Sequence, residues 1–212
     1  MAGGREYLKY NINLFSEKLE NIKTNTFKII SGDLKGRKFF FKDSHELRPT
    51  SSKARETLFN WLQFEITNKT ILDPFAGTGA LGIEAISRGS GKVFFIEKDF
   101  KTYKILESNL KILENNRYQL CNQDSLKYLK KVKLVPFDYI FLDPPFNQEL
   151  IPAMLSLISK QNLIDSNSKI YIESEYEIDL EFLNSNIKYN CRIEKQKKSG
   201  NVFYCLISLD LL

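Results

Sequence analysis

The feature that most constrains this chain is a regular alternation of short apolar strands and amphipathic helices from Lys69 onward. Strands are predicted at Thr70–Asp73, Lys92–Ile96, Gln119–Asn122, Tyr139–Asp143 and Lys169–Ile172, with helices beginning near Thr78, Phe100, Ser125 and Gln148. Alternation at this pace requires right-handed crossovers and yields a parallel, doubly wound α/β sheet. The rhythm breaks near the end. Lys188–Lys198 and Val202–Leu209 flank Ser199-Gly200-Asn201 with no helix between them, so the sheet should close on an antiparallel pair. The expected fold is a Rossmann-like sheet of seven strands whose last pair is antiparallel.

Ahead of this domain, Phe27–Ile30 and Lys38–Phe41 read as a small N-terminal β-hairpin appendage. Ser51 or Ser52 can cap a helix reaching about Phe64, with Ala54, Leu58, Phe59 and Leu62 on its apolar face. Residues 6–24 carry apolar side chains at roughly helical spacing and suggest a weak amphipathic helix. The expected organisation is therefore a helical extension over 1–26, a basic hairpin and loop over 27–50, and one α/β domain over 51–212. The 212 residues suffice for one ordinary core. No apolar run approaches the ~20 residues that cross a bilayer. The segment from Arg5 to Lys23 mixes charges with its apolar residues instead of forming a secretory signal, so a cytoplasmic protein is expected. Cys121, Cys191 and Cys205, odd in number and widely spaced, fit neither a disulfide framework nor a zinc site.

Charge is local. Between Lys28 and Arg55 stand eight basic residues (Lys28, Lys35, Arg37, Lys38, Lys42, Arg48, Lys53, Arg55) against Asp33, Asp43 and Glu46, which accounts for the entire formal net charge of +5. A polyanion is the partner such a cluster suits, and nucleic acid is preferred over a merely solvated face because the window also holds a Gly-Arg-Lys tip and an Arg-Pro-Thr turn.

The chemistry-bearing segments follow strands. Ile71-Leu72-Asp73-Pro74-Phe75-Ala76-Gly77-Thr78-Gly79-Ala80-Leu81-Gly82 runs from a strand through a glycine-rich turn into a helix. Read literally, Gly77, Gly79 and Gly82 spell a dinucleotide fingerprint, or the glycines serve turn geometry alone. Asp73, immediately before the turn, would repel a pyrophosphate but attract the ammonium and sulfonium of S-adenosyl-L-methionine. Glu97, ending the next strand, is placed to accept from a ribose diol under either cofactor. Asp124, with Ser125 beside it, is placed to meet an adenine or, equally, to cap the helix that follows.

The second segment is Asp143-Pro144-Pro145-Phe146. Consecutive prolines donate no N–H and keep the backbone extended, so the Pro144 carbonyl can be aimed into a cleft. An exocyclic aromatic amine is a poor nucleophile because its lone pair is delocalised. The Asp143 carboxylate and the Pro144 carbonyl can bind its two protons and turn that lone pair toward an electrophile, with Asp143 taking the proton lost. Phe146 offers a face for an unstacked base, typically worth ~1–3 kcal/mol.

Asp143-Pro144-Pro145-Phe146 resembles the catalytic motif of class I S-adenosylmethionine-dependent amino-methyltransferases. Gly36-Arg37-Lys38, Leu47-Arg48-Pro49-Thr50, Arg55–Leu62, Phe75–Ala85, Ile96-Glu97 and Ile172–Glu175 are more specifically similar to the bacterial RsmD family, over about Phe27 to Leu209. The resemblance implies a class I methyltransferase sheet and methylation of a guanine N2 amine in 16S rRNA of an assembling or assembled small ribosomal subunit, by a monomer without metal or membrane. It implies that Asp73, Phe75, Ala76, Gly77, Thr78, Gly79, Glu97, Asp124 and Ser125 hold the cofactor and that Asp143, Pro144, Pro145 and Phe146 hold and activate the base. Arg37, Lys38, Arg48 and Thr50 would grip RNA phosphates. Residues 1–26 have no counterpart in the family pattern, and Pro74 stands where a variable small residue is expected. The rivals are a nicotinamide-dependent dehydrogenase, for which the single histidine, His45, is a poor proton donor in a basic loop, and a non-catalytic RNA-binding factor. An adenine or protein-glutamine methyltransferase also fits the tetrapeptide.

Overall fold

The computed structural model describes residues 23–42, 50–146 and 148–210. The helix predicted over residues 6–24 lies outside them, apart from Lys23 and Thr24, as do His45 and Arg48. Thr24 opens strand β1 (Thr24–Lys28), which pairs antiparallel with β2 (Lys38–Lys42). The chain then runs α1 (Ser52–Trp61), β3 (Thr70–Asp73), α2 (Ala80–Ser87), β4 (Lys92–Glu97), α3 (Phe100–Leu110), β5 (Tyr118–Asn122), α4 (Ser125–Leu129) and β6 (Tyr139–Leu142). It continues with α5 (Leu150–Lys160), β7 (Lys169–Ser174), α6 (Leu180–Asn186), β8 (Asn190–Ser199) and β9 (Val202–Asp210).

The large sheet has the order β5-β4-β3-β6-β7-β9-β8. Strands β3 to β7 pair in parallel, and β9 lies antiparallel between β7 and β8. The expected seven-stranded sheet with a closing antiparallel pair is thus present. One face buries Leu58, Phe59, Ile71, Ile83, Phe95, Phe141 and Tyr171 beneath α1, α2 and the hairpin phenylalanines Phe27 and Phe39. The opposite face buries Leu72, Ile140, Ile172 and Ile207 with Leu155 and Ile158 of α5 and Leu183 of α6. The alternation of these two sets along β3 and β7 is the two-residue period of a sheet covered on both sides.

Several boundaries differ from the sequence reading. Ser51 caps α1, its side chain accepting from the Ala54 N–H at 3.1 Å, but the helix stops at Trp61 and leaves Phe64 exposed. Helix α2 begins at Ala80, not Thr78, because Gly79 is left-handed (φ 76°) and cannot be the first helical residue. The hairpin strand β1 starts three residues early. At its other end Ile30 and Ser31 turn their N–H groups onto the Glu84 carboxylate (2.9 and 3.0 Å) instead of extending the strand. Helix α6 was not expected. It is seven residues long, too short for a helical period to register, and is started by Asp179, whose side chain accepts from the Phe182 N–H at 2.8 Å.

Glu84, fully buried in α2, is the junction between hairpin and domain. Besides the two hairpin amides it accepts from Arg55 (3.3 Å) and Arg88 (2.8 Å), and Arg55 also donates to the Lys28 carbonyl at 3.0 Å. A buried carboxylate is tolerated when its oxygens are satisfied this fully. The hairpin turn is held against the C-terminal end of α2, with the Asp33 N–H on the Ser87 carbonyl (2.8 Å) and the Leu34 N–H on Ser87 Oγ (2.9 Å).

Candidate active site

Four strands end in an acid straight after an apolar pair: Ile71-Leu72-Asp73, Phe95-Ile96-Glu97, Phe141-Leu142-Asp143 and Tyr171-Ile172-Glu173. Because β3, β4, β6 and β7 are parallel, all four acids arrive at the same edge of the sheet, where loops form the cleft of a doubly wound fold. Leu142 pairs with Ile172, so Asp143 and Glu173 stand side by side. Leu72 pairs with Ile140, which puts Asp73 on the next strand, level with Phe141. Asp73, Asp143 and Glu173 share the sheet face of Ile71, Phe141 and Tyr171, the face covered by α1.

Asp73 is 2% exposed, and its Oδ2 is buried without a hydrogen-bond partner. Burial, and then the nearby Asp143 and Glu97 carboxyls, push its pKa up to about 8. A buried carboxyl oxygen left without a donor is costly unless something cationic or donating completes it. Such an orphan fits the ammonium end of the expected cofactor.

The glycine turn packs against the same edge. The Ala76 N–H donates to the Ile96 carbonyl at 3.0 Å and the Gly79 N–H to the Ala76 carbonyl at 2.7 Å. A Cβ on Gly79 would come within 2.4 Å of a Leu106 methyl, and on Gly82 within 2.1 Å of the Phe95 ring, so the third glycine of the fingerprint serves close packing of α2 on β4. Glu97 accepts from the Gly77 N–H at 2.8 Å and the Asp99 N–H at 2.7 Å, which fastens the turn to the strand end. Burial raises its pKa, against the pull of those two amides. Asp124 caps α4 by accepting from the Lys127 N–H at 2.9 Å, realising the capping alternative, and Ser125 Oγ donates to the Pro74 carbonyl.

Asp143 is partly exposed at the cleft, and burial pushes its pKa up to about 6. Its Oδ2 accepts from Thr50 Oγ1 at 2.6 Å, an interaction that favours the ionised form. Thr50, read from sequence as an RNA contact, is thus bonded to the candidate catalytic carboxyl. Its own carbonyl accepts from Arg55 Nε at 3.3 Å. Pro144 is buried and Pro145 exposed, while Phe146 is 38% exposed beside Asp143. Sequence reasoning gave Glu173 no role of its own. It is 5% exposed, its Oε1 accepts from the Tyr171 hydroxyl at 2.8 Å, and burial followed by the Asp143 charge holds it well above the usual carboxylate range. The signal that could have found it was the recurring acid after a buried apolar pair.

The structure does not gather all the expected RNA contacts here. Thr50 and, through the 3.6 Å pair of Lys42 with Asp99 at the start of α3, the far end of β2 lie at the edge that carries the four acids. Exposed Arg37 and Lys38 follow the turn held at Ser87, the opposite end of α2, a helix spanning ~12 Å.

A family described as Conserved hypothetical protein 95 matches residues 27–208. Ribosomal RNA small subunit methyltransferase D of Haemophilus influenzae is 40% identical over 182 residues, covering 84% of this chain and 92% of that protein. The protein of the same name from Buchnera aphidicola (subspecies Acyrthosiphon pisum) is 44% identical over 153 residues, 72% of this chain and 80% of that one. Among solved structures, a methylase from Haemophilus influenzae superimposes with a TM-score of 0.72 at 36% identity, covering 88% of this chain and 99% of that one. The Escherichia coli protein yhhF does so at 0.78 and 32%, covering 89% and 100%. With its strand-end acids, glycine turn and Asp-Pro-Pro-Phe segment in place, the chain belongs to this family, that of the ribosomal RNA small subunit methyltransferase D (RsmD) enzymes.

Proposed function

We propose that this protein transfers a methyl group from S-adenosyl-L-methionine to the exocyclic N2 amine of a guanine in 16S rRNA, acting as a monomer in the cytoplasm on an assembling or assembled small ribosomal subunit. The observation that carries the reading is the partly exposed Asp143 carboxyl, held through one oxygen by Thr50, with exposed Phe146 three residues on and the orphaned Asp73 oxygen at the neighbouring strand end.

Asp73, the Phe75–Gly79 turn, Glu97, Asp124 and Ser125 would hold the cofactor, which when bound supplies an electrophilic methyl carbon. Asp73 answers its positive charge. Each Glu97 oxygen keeps a lone pair for a hydroxyl after accepting one backbone N–H. At the base, Asp143 and the Pro144 carbonyl accept the two amine protons and orient the lone pair, while Phe146 stacks on the ring. With one oxygen fixed by Thr50, Asp143 offers the other to the amine and takes up its proton as the nitrogen is alkylated. A pKa near 6 leaves Asp143 ionised at neutral pH and far more basic than an ordinary aspartate.

Methyl transfer from labelled cofactor to small-subunit particles, by wild type and by Asp143→Ala, tests this. Wild type transfers label. The variant transfers none yet binds cofactor within about tenfold of wild type. Near-normal turnover in the variant would refute the role of Asp143.

A further inference from the structure

The edge of the sheet at Asp143 is lined by carboxyl groups, so a phosphate backbone approaching it finds counter-charge only where cations stand nearby. Arg37 and Lys38 lie at the other end of α2. Strand β9 runs antiparallel to β7, with Glu173 paired to Tyr204 and Ser174 to Phe203, so the β8–β9 turn returns to the catalytic edge. Lys197 is paired with Tyr204 and Lys195 with Leu206. Tyr204 and Leu206 belong to the core on the α1 side of the sheet, the face that also carries Asp143 and Glu173. Register partners share a face, so Lys195 and Lys197 lie on it too. Both are exposed.

Lys197 Nζ donates to Thr57 Oγ1 at 3.3 Å, and that hydroxyl donates to the Lys53 carbonyl at 2.8 Å. Lys53, exposed in the first turn of α1, is three residues from Thr50. A cation in a first turn opposes the helix dipole, and α1 has no acid there to offset it. That cost is understandable if Lys53 serves a partner. The acidic loop after β7 lies on the other face, where Gln196 Nε2 donates to the Ile178 carbonyl at 3.1 Å. Lys195 and Lys197 thus share the face of Asp143, while Lys198, paired with Phe203, stands on the other. Across β6, β7, β9 and β8 the three strand spacings of ~4.8 Å put the lysine row roughly 14 Å from Asp143.

We propose that Lys53, Lys195 and Lys197 form a phosphate-binding rail that seats the RNA backbone next to the target base. This rests on the RNA-methyltransferase reading above. Each phosphate neutralised contributes about 0.7–0.9 to the slope of log affinity against log salt, so loss of three contacts flattens it by roughly 2–3.

The test compares wild type, a triple variant (Lys53→Ala, Lys195→Ala, Lys197→Ala) and a triple arginine variant at the same positions. Affinity for small-subunit particles is measured over a salt series, and kcat/KM for methyl transfer beside it. The alanine variant should show the flattened slope and at least tenfold lower kcat/KM with unchanged cofactor affinity, and the arginine variant should restore both. An alanine variant with wild-type slope and kcat/KM overturns the rail. So does one that merely self-associates, since lysines also guard sheet edges against pairing. Wild type that transfers no methyl group to these particles would instead overturn the functional reading, and the rail with it.

Discussion

Asp73→Asn separates the stability of the fold from its function. In the ligand-free protein the Asp73 carboxyl is buried with one oxygen unpartnered and a pKa raised from 3.8 to about 8. Between those values the folded state holds a proton that the unfolded chain has released, so folding stability contributed by this group is intact below about pH 4 and declines as pH rises toward 8. At 1.36 kcal/mol per unit, some three units from 3.8 to neutrality make the upper bound about 4 kcal/mol at pH 7. Asparagine removes the titration while keeping the shape. The variant should gain little over wild type near pH 5 and roughly 2 kcal/mol or more near pH 8, with a gap that widens steadily between them. Urea denaturation of both ligand-free proteins across that range reads the gap directly. The same variant should bind S-adenosyl-L-methionine at least tenfold more weakly, because the carboxylate that answers its charge is gone. A gap that stays constant with pH, or a wild type more stable than the variant near pH 8, would refute the reasoning.

Three further outcomes follow from the geometry. Thr50→Val removes the hydrogen bond that favours ionised Asp143, so the acidic limb of kcat/KM, expected near pH 6, should move up by about one unit while Thr50→Ser leaves it in place. Of the other groups near Asp143 (Asp73 on β3, Glu173 and Tyr171 on β7, Tyr204 on β9), the Tyr171 hydroxyl is already given to Glu173, and the Thr50 hydroxyl is the one whose hydrogen bond lowers the Asp143 pKa; an unmoved limb would detach Thr50 from the chemistry. Glu84→Ala strands two buried or half-buried arginines and two hairpin amides, and should cost about 3–5 kcal/mol in denaturant unfolding. Neutralising Arg37 and Lys38 together should weaken RNA binding and flatten its salt dependence, as a contact remote from the chemistry; an unchanged slope would remove the hairpin tip from the interface.

Much of this was legible in the sequence because its determinants are local. Strand β3 was bounded at Thr70–Asp73 by apolar residues between a polar start and a proline, and the Asp143-Pro144-Pro145-Phe146 segment carries its acceptors in adjacent positions. What escaped depends on contacts distant in the chain. Thr50 lies 93 residues from Asp143, and nothing in an Arg-Pro-Thr turn reveals that its hydroxyl ends on that carboxyl. The hairpin tip and Thr50 were expected together as RNA-phosphate contacts, and only the bond from Leu34 to Ser87, 53 residues away, shows the tip fixed at the far end of α2. The lysines of β8 appeared unremarkable beside the charge window of residues 28–55, since only the sheet order and register bring them to the catalytic edge. Helix α6 was missed for want of length, not for want of a cap.

The central claim is that Asp143 and the Pro144 carbonyl orient the exocyclic amine of a guanine for methylation. Its most direct test is to incubate the purified protein with methyl-labelled S-adenosyl-L-methionine and small-subunit particles from cells lacking the enzyme, then digest the RNA to nucleosides. The account predicts label in guanosine, on N2. Label on adenine, on a guanine ring atom or in protein would contradict it.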